Sequence, residues 1–290
     1  MSQPHFWLNG KLVNREEARV DMLANGLHYG TGVFEGIRCY DTGGKAGIFQ
    51  LEPHMERFAR GCKALSMDVD VNALTEGIVE TVAASGFLNA YIRPIAFFAA
   101  GGLGLDTAPL EPHMAVAVMP WNSHLGEGAH KGITVRVSNF RRNSASSLPP
   151  LKICGGYVNS IMAKREAALS GFDEALFVDD DGFVCEATGE NVFLVKDGQV
   201  VAVEHKDALP GITRATVMEM AGATARKVTL EELLGADEVF LTGTSAEVVP
   251  VSQLNGRHFG AGKVTRDLQV AYTDLVHGRD QTRQSWLTAA

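Results

Sequence analysis

The chain has 290 residues, enough for two domains or for one large domain with a sizeable core. Apolar residues make up 46% of it and charged residues 21%, as in ordinary globular proteins. The net charge of −8 argues against nucleic acid or an anionic membrane surface as a partner. Because no apolar run approaches the ~20 residues that span a bilayer, and the N-terminus lacks the pattern of a signal peptide, we expect a cytoplasmic protein.

The first 121 residues predict a small domain of strands and helices. Its predicted elements are, in order, a hairpin with an Asn9-Gly10 turn, a strand over 32–40, helices over 51–65 and 72–84, and strands over 91–98 and 114–120. Asn72 is a candidate cap of the second helix, and Gly86 stands just beyond its end.

The polar, glycine-containing stretch 122–131 predicts an interdomain loop, followed by a second domain over 132–290. The elements predicted there are, in order, a strand over 133–137, a helix over 156–168, hairpins that turn at Asp181-Gly182 and Asp197-Gly198, a helix over 213–226, and two strands around Gly243-Thr244-Ser245. Strands and helices mix without strict βαβ order, which favours an α+β fold in two parts.

Lys152 stands between the pairs Pro149-Pro150 and Gly155-Gly156, directly before a predicted helix. Most lysines are solvated surface charges, but a lysine held in this way can form a Schiff base with pyridoxal phosphate. Such a lysine needs an anion for the pyridinium nitrogen as its partner. Glu186 and Glu190, which follow an apolar strand, are candidates, although glutamates in such turns are more often simply exposed.

A cofactor phosphate needs N–H donors and a positive charge. The run Leu209 to Arg214 opens a predicted helix, whose free amides and dipole favour an anion, although a plain capped helix has the same pattern. The turn at Gly243-Thr244-Ser245 offers amides and hydroxyls, or is only a hairpin. Arg57 supplies a cation unless it is an exposed helical arginine.

The order of these motifs along one chain is more specific than any one of them. From about residue 5 to 275 the chain resembles the branched-chain amino-acid aminotransferases of the class IV (fold type IV) pyridoxal-phosphate family. The motifs that carry the resemblance are Leu27 to Arg38, Tyr91 to Pro94, Lys152 to Tyr157, Glu186 to Phe193, and Leu209 to Arg214. The resemblance implies a two-domain α+β fold with a smaller N-terminal α/β domain and a larger C-terminal domain whose sheet forms a pseudo-barrel.

The resemblance also implies that Lys152 carries pyridoxal 5'-phosphate and shuttles the substrate's α-proton. The other implied cofactor contacts are Arg57, Ile212, Thr213 and Thr244 at the phosphate, Leu209 and Gly211 in the adjoining turn, Tyr157 at the phenolic oxygen, and Glu186 at the pyridine nitrogen. Glu190 would then be structural.

A substrate site is implied in the same way. Its residues would be Tyr91, Thr244 and Ser245 at the α-carboxylate, Phe34, Gly36, Trp121 and Tyr157 around an apolar side chain, Arg93 at the side-chain carboxylate of glutamate, and Tyr29, Leu103 and Leu105 from a neighbouring subunit. The implied partners are therefore small amino acids and keto acids, and a second copy of the chain in a homodimer.

The implied reaction is ping-pong transamination between L-leucine, L-isoleucine or L-valine and 2-oxoglutarate. Leucine and glutamate must use one pocket in turn, so a mostly apolar wall needs one polar group at its rim. D-amino-acid aminotransferases, (R)-amine aminotransferases and aminodeoxychorismate lyases share the fold and remain alternatives, although 34–38 and 91–93 favour the branched-chain type. The presence of Lys152, Glu186 and Arg93 together argues against a non-catalytic binding protein.

Several positions depart from the family pattern. Ile153 and Cys154 follow Lys152 where many relatives have smaller residues, and Ala187 stands where glycine is usual. The strand 200–203 lacks the usual threonine. His124 stands where a tyrosine is expected, and is either a polar loop residue or a replacement for the hydroxyl that helps to bind glutamate. These changes bear on substrate preference more than on the reaction class.

The four cysteines have no Cys-x-x-Cys spacing, so we expect reduced thiols and no metal site. Cys154, two residues from Lys152, could alternatively be a reactive thiol.

Overall fold

The structure is a computed structural model that describes residues 5–121, 131–260 and 262–290, and these form two compact units. The first unit contains the described residues of 1–122 together with Leu151–Gly156 and Asp274–Ala290. The second contains the described residues of 123–150 together with Tyr157–Thr273. The sequence placed 151–156 and 274–290 in the C-terminal domain, whereas here both segments hydrogen-bond to strands of the N-terminal part. The predicted loop 122–131 lies outside the described residues except for Lys131.

The first unit is built on an antiparallel sheet. Its elements are β1 (His5–Leu8), β2 (Lys11–Val13), α1 (Asn25–Tyr29), β3 (Gly32–Phe34), β4 (Ile37–Asp41), β5 (Ala46–Phe49), α2 (Leu51–Ala64), α3 (Val71–Ser85), β6 (Ala90–Phe98), β7 (Pro112–Pro120) and short 3-10 helices at Cys154–Gly156 and Gln281–Trp286. The second unit is built on a mixed sheet. Its elements are β8 (Ile133–Val137), α4 (Tyr157–Leu169), β9 (Glu174–Val178), β10 (Val184–Ala187), β11 (Asn191–Lys196), β12 (Gln199–Val203), α5 (Ile212–Ala221), β13 (Thr224–Arg226), α6 (Leu230–Leu234), β14 (Glu238–Gly243), β15 (Glu247–Leu254), β16 (Arg257–His258) and α7 (Lys263–Val276). The last residues of α7, from Asp274 onward, belong to the first unit. The strand β17 (Leu287–Ala289) completes the first sheet.

The strand order of the first sheet places β4 and β6 side by side. The order is β17-β5-β4-β6-β7-β1-β2, with β3 pairing with β6 as well. Phe58 and Ile78, from α2 and α3, are fully buried, and α3 comes so close to the sheet that a Cβ on Gly77 would lie 2.6 Å from the Trp7 ring. This packing fixes β3, β4 and β6, which carry the motifs around Phe34 and Tyr91.

The predicted strand over 32–40 is two strands, because the pairing is interrupted at Glu35 and Gly36. The helix predicted over 72–84 is confirmed as Val71–Ser85, and Gly86 ends it in the left-handed conformation. Its N-cap is Asp70, whose side chain accepts a hydrogen bond from Ala73 N at 3.0 Å, so the candidate cap Asn72 was wrong.

The second sheet mixes parallel and antiparallel pairs in the order β10-β9-β8-β15-β14-β11-β12-β13. Its core is formed by branched apolar side chains that alternate along these strands, including Val135, Leu176, Val192, Leu241 and Val249. The hairpin at Asp197-Gly198 is confirmed, with both turn residues at positive φ. The sheet positions the ends of β10 and β14, where the predicted cofactor residues stand.

The helix predicted over 213–226 was too long. It covers Ile212–Ala221 and ends at Gly222, which is left-handed with φ 58°. Residues 224–226 then form β13, parallel to β12. Glycine in the left-handed conformation ends helices, and the prediction did not take Gly222 as the end of this helix.

Among the residues that the structure describes, every helix is too short or too polar to cross a lipid bilayer.

Candidate active site

Lys152 is fixed to β3 by main-chain contacts within the first unit. Phe34 N donates a hydrogen bond to Lys152 O at 3.1 Å, and Val33 forms an antiparallel bridge with Ile153. Lys152 Nζ lies 4.9 Å from the centre of the Phe34 ring, where a cation is attracted to the aromatic face. The lysine is therefore held against a residue that the sequence assigned to the substrate pocket.

The glycines near Lys152 let two backbone segments approach closely. Gly155 N donates to Gly30 O at 3.1 Å. A Cβ on Gly30 would lie only 2.7 Å from Gly155 Cα, and Gly30 also has a φ of +69°. Any side chain at Gly30 would push the segment after Lys152 away from the sheet.

Tyr91 and Arg93, on the same face of β6, are joined by a hydrogen bond from Arg93 Nη2 to Tyr91 Oη at 2.8 Å. The Arg93 guanidinium lies 4.8 Å from the centre of the Phe34 ring, and the Tyr91 and Trp121 rings are 5.0 Å apart. A Cβ on Gly36 would lie 2.1 Å from Tyr91 Oη, so this position requires glycine. The structure thus brings together five of the predicted substrate residues.

A mostly apolar cavity of about 400 Å³ adjoins Arg93. Gly32, Leu27, Phe97 and Cys154 also line it. Among the described residues, the charged residues that line it are Arg19 and Arg93. The cavity therefore combines apolar walls with guanidinium groups.

Arg57 is buried rather than exposed, which removes the alternative of a solvated helical arginine. Its Nε donates to Glu35 Oε1 at 2.7 Å and its Nη2 to Glu35 Oε2 at 2.9 Å. His54 Nδ1 also contacts Glu35 Oε2, at 2.7 Å. Sequence reasoning assigned no role to Glu35 or His54; the signal was a glutamate between Phe34 and Gly36 in an otherwise apolar run.

In the second unit, Glu186 is a buried carboxylate at the end of β10. Its Oε1 accepts a hydrogen bond from Arg142 Nε at 2.5 Å, and its Oε2 accepts one from Leu209 N at 2.9 Å. Arg142 is in turn held by Asn159 Oδ1 at 3.1 Å. A carboxylate held by both of its oxygens is an acceptor of fixed orientation. Sequence reasoning missed Arg142.

The helix α5 begins without a side-chain cap, since its N-cap is Gly211. The loop before it is held by Asn191, whose Nδ2 donates to Leu209 O at 2.9 Å. A Cβ on Gly211 would lie 1.9 Å from Asn191 Oδ1. The backbone of Leu209 is thus held at both polar groups, its N–H by Glu186 and its carbonyl by Asn191. The amides of Ile212 and Thr213 lie in the first turn of the helix, where backbone N–H groups lack intrahelical partners.

Thr244 and Ser245 form the turn between β14 and β15 and are partly buried. The hydroxyls of Thr242 on β14 and Thr216 on α5 are buried and have no hydrogen-bond partner among the described residues. Hydroxyls and helix-terminal amides are suitable donors for a phosphate.

Glu190 lies beside this turn, because a Cβ on Gly243 would be 3.2 Å from Glu190 Cγ. Burial, reinforced by the nearby carboxylate of Glu174, raises the pKa of Glu190 to about 8. Glu174 is paired with Lys164 Nζ at 2.5 Å and with Thr188 Oγ1 at 2.6 Å. Glu190 Oε2 accepts a hydrogen bond from Gly189 N at 3.2 Å, and the structural role of Glu190 stays a prediction.

The remaining residues singled out in the sequence lie in both units. Tyr29 Oη donates to Leu103 O at 2.5 Å, and the side chains of Tyr29, Leu103 and Leu105 are exposed in the first unit. Tyr157 opens α4 and is partly buried, while Ala187 is buried in β10. His124 lies outside the described residues.

All four cysteines are free thiols. Burial raises the pKa of Cys154 despite the nearby positive charges of Arg93 and Lys152. A reactive thiol needs a lowered pKa, so the structure gives no support to the alternative of a nucleophilic Cys154.

These donors and acceptors fit pyridoxal 5'-phosphate. Lys152 offers an amine, and Glu186 offers a buried carboxylate held by two hydrogen bonds. The uncapped N-terminus of α5 and the unpartnered hydroxyls of Thr216 and Thr242 offer phosphate donors.

Comparison with known proteins agrees with this chemistry. Residues 32–254 match the family model of amino-transferase class IV. The chain is 38% identical to a branched-chain-amino-acid aminotransferase of Pseudomonas aeruginosa, covering 98% of this chain and 96% of the relative. The crystal structure of the T.th. branched-chain amino acid aminotransferase with pyridoxamine 5'-phosphate superposes with a TM-score of 0.95 at 41% identity, covering 98% and 97% of the two chains. The same enzyme complexed with N-(5'-phosphopyridoxyl)-L-glutamate has a TM-score of 0.93 at 40% identity and the same coverage.

The chain therefore belongs to the class IV aminotransferase family, with the fold type IV architecture expected from its motifs.

Gly211→Ala is expected to weaken binding of pyridoxal 5'-phosphate at least about 10-fold, because a Cβ within 1.9 Å of Asn191 Oδ1 must displace either the loop that starts α5 or the Asn191 side chain that bonds Leu209 O in that loop. Absorbance titration of the apoenzyme measures the dissociation constant. Gly189→Ala is the matched control, since a Cβ there meets no atom within 4 Å. Equal affinity of the two variants would contradict the role of the Gly211 loop.

The wild type is expected to lose stability as the pH rises from about 4.5 to about 8, and Glu190→Gln is expected to abolish that loss. Because the folded state raises the pKa of Glu190 from 4.5 to about 8, the folded wild type holds this proton longer than the unfolded chain does. The free energy of unfolding of the wild type therefore falls as the pH rises between these two pKa values. The neutral variant should gain ~1–3 kcal/mol over the wild type between pH 5 and pH 9.

Urea unfolding at several pH values measures this difference, with the exposed Glu231→Gln as control. Parallel stability curves for wild type and Glu190→Gln would show that Glu190 is not held protonated.

Proposed function

We propose that the protein is a branched-chain amino-acid aminotransferase that uses pyridoxal 5'-phosphate to exchange amino groups between L-leucine, L-isoleucine or L-valine and 2-oxoglutarate. The observation that carries this proposal is the grouping of Phe34, Arg93 and Lys152. Phe34 lies 4.8 Å from the Arg93 guanidinium and 4.9 Å from Lys152 Nζ. An aromatic ring that contacts both a guanidinium and the reacting amine suits a pocket that must take leucine and glutamate in turn.

The relatives support the substrate and cofactor assignment. The aminotransferases that match this chain over 98% of its length carry the branched-chain name. The crystal structures of the T.th. enzyme hold pyridoxamine 5'-phosphate and a phosphopyridoxyl adduct of L-glutamate. The cofactor is therefore pyridoxal 5'-phosphate, and glutamate is the expected partner of the branched-chain substrates.

Each residue has a proposed task. Lys152 would hold the cofactor through Nζ, and the same atom would carry the α-proton of the substrate. Bound cofactor supplies an electron sink for the bonds at the substrate's α-carbon. Glu186 keeps the pyridine nitrogen protonated, and Arg142 and the Leu209 N–H hold that carboxylate in place.

The phosphate is proposed to be held by Arg57, the amides of Ile212 and Thr213, and Thr244, with Tyr157 at the phenolic oxygen. The substrate's α-carboxylate is proposed to bind Tyr91 and the Thr244-Ser245 turn. Phe34, Gly36 and Trp121 then surround its side chain, and Arg93 receives the distal carboxylate of glutamate. His124, outside the described residues, is proposed to assist Arg93.

Same-fold alternatives are less well supported. A D-amino-acid or (R)-amine aminotransferase and an aminodeoxychorismate lyase would reuse Lys152 and Glu186. The relatives reported above are branched-chain enzymes, and the Tyr91–Arg93 pair is intact in this chain.

We also propose a homodimer in which Tyr29, Leu103 and Leu105 complete the partner's substrate pocket. Apolar side chains are exposed along 20–29 and 103–105, with Leu105 83% exposed. Hydrogen bonds from Tyr29 Oη to Leu103 O, and between His28 Nε2 and Met22 O, hold these two segments in place. A contiguous apolar surface of this kind marks an interface. The free thiols support a proposed cytoplasmic location.

Adding L-leucine alone to the holoenzyme is expected to abolish the cofactor's absorbance band rapidly, whereas D-alanine and (R)-1-phenylethylamine leave it nearly unchanged. L-leucine can place its side chain against Phe34 while its α-proton faces Lys152. A response mainly to D-alanine or to the amine would move the protein to one of the same-fold alternatives. Lys152→Ala should show no turnover, and transamination by that variant would sink the scheme.

Leu105→Asp is expected to shift the protein toward monomer in size-exclusion chromatography with light scattering, and to reduce kcat/KM for leucine at least about 10-fold, because a charge replaces an apolar interface contact. Val270→Asp, at an apolar residue that is 64% exposed on α7, is the control and should do neither. A fully active monomer would refute the shared pocket.

A further inference from the structure

Three titratable side chains of the first unit form a closed cluster, and the proposed function gives a direct role to only one of them, Arg57. Glu35, His54 and Arg57 are 0%, 1% and 4% exposed. The Glu35 carboxylate accepts two hydrogen bonds from Arg57, at 2.7 and 2.9 Å, and contacts His54 Nδ1 at 2.7 Å. A buried network of this size is costly unless its members are fully paired.

The protonation states of the cluster follow from its surroundings. Burial alone would raise the pKa of Glu35, but the positive charge of Arg57 and the hydrogen bonds from His54 and Arg57 outweigh it and hold the pKa well below its usual range. Burial lowers the pKa of His54, against the opposing effect of Glu35. His54 is therefore neutral and must carry its proton on Nδ1 to donate to the carboxylate. The cluster then holds one cation and one anion, which makes its burial feasible.

Glu35 is itself anchored by the backbone. Glu35 N donates to Pro94 O at 2.9 Å, and Gly36 N donates to Glu35 Oε2 at 3.3 Å. Since both neighbours, Phe34 and Gly36, belong to the proposed substrate site, the carboxylate has a fixed position relative to that site.

The carboxylate bonds Nε and Nη2, which form one edge of the Arg57 guanidinium. An arginine side chain is flexible, but its planar guanidinium fork is oriented when one edge is bound. The opposite edge, which ends in Nη1, is thereby given a fixed direction.

We propose that Glu35 and His54 are positioning residues that orient the Arg57 guanidinium toward the phosphate group of the cofactor. The proposal rests on the proposed function, because the phosphate is that of pyridoxal 5'-phosphate. The competing role is a purely structural one, in which the cluster only ties α2 to the strand segment around residue 35.

A comparison of two ligands separates these roles. Apoenzyme is titrated with pyridoxal 5'-phosphate and with pyridoxal, which lacks the phosphate but keeps the aldehyde and the pyridine ring. For Glu35→Gln we expect a loss of about 10-fold to 100-fold in affinity for pyridoxal 5'-phosphate, since a charge-assisted hydrogen-bond pair is lost. The affinity for pyridoxal should change less than about 3-fold.

The matched control is Glu56→Gln. Glu56 precedes Arg57 on α2 but is exposed, so neither ligand should be affected. Inorganic phosphate provides a further probe, because it should compete with cofactor binding in the wild type and less so in Glu35→Gln.

His54→Phe keeps the Glu35–Arg57 pair and removes the Nδ1–H donor to Glu35, so it serves if Glu35→Gln does not fold. It should weaken binding of pyridoxal 5'-phosphate about 3-fold to 10-fold and leave pyridoxal binding unchanged. Equal losses for both ligands, or no loss for either, would overturn the positioning role. A wild type that binds neither ligand would instead overturn the proposed function, and the positioning role with it.

Discussion

The structure depends most on the backbone contact that holds the lysine segment against β3. The Phe34 N–H bonds Lys152 O, and Gly155 N bonds Gly30 O in the same stretch. These are main-chain bonds, so they fix the course of the chain regardless of which rotamer the lysine adopts. The Cα of Lys152 is thereby placed beside Phe34, and the flexible side chain is left to move its amine over a short range. A residue that carries a proton needs a backbone fixed in position and a side-chain end that can move.

Two pairs of opposite charges, one in each unit, each include one side chain with a proposed role. Glu35 compensates Arg57 in the first unit, and Arg142 compensates Glu186 in the second. Removing one partner of such a pair leaves an uncompensated charge away from water, which costs more than the pair contributes. A protein that must stay folded before its cofactor arrives therefore needs these partners, since an isolated arginine or glutamate would resist burial. The ligand then meets groups that are already ionised and oriented.

The sequence predicted local features well, because these are encoded by neighbouring residues. The helix over 51–64 follows from apolar residues at helical spacing, and the Asp197-Gly198 hairpin follows from residues that tolerate positive φ. The early end of α5 at Gly222 was missed, because a glycine inside a predicted helix can either end it or be tolerated. The partners of the site were missed for another reason. Glu35 and Arg57 are 22 residues apart, and Arg142 and Glu186 are 44 apart. Pairs so distant along the chain leave no local pattern, and only the folded sheets bring them together.

The proposed dual specificity has a physical basis in the environment of Arg93. Its guanidinium lies over Phe34 and within 5.2 Å of the Tyr91 ring, and its Nη2 is bonded to Tyr91 Oη. Aromatic faces stabilise a cation without neutralising it, so the group can remain charged beside an apolar cavity when a leucine side chain is bound. Its Nε is buried and has no hydrogen-bond partner among the described residues. The carboxylate of a bound glutamate could pair with this guanidinium directly. If Arg93 were paired with a carboxylate of the protein, that salt bridge would first have to be broken. An arginine held by aromatic rings therefore serves two substrates that an arginine paired with an acid would not.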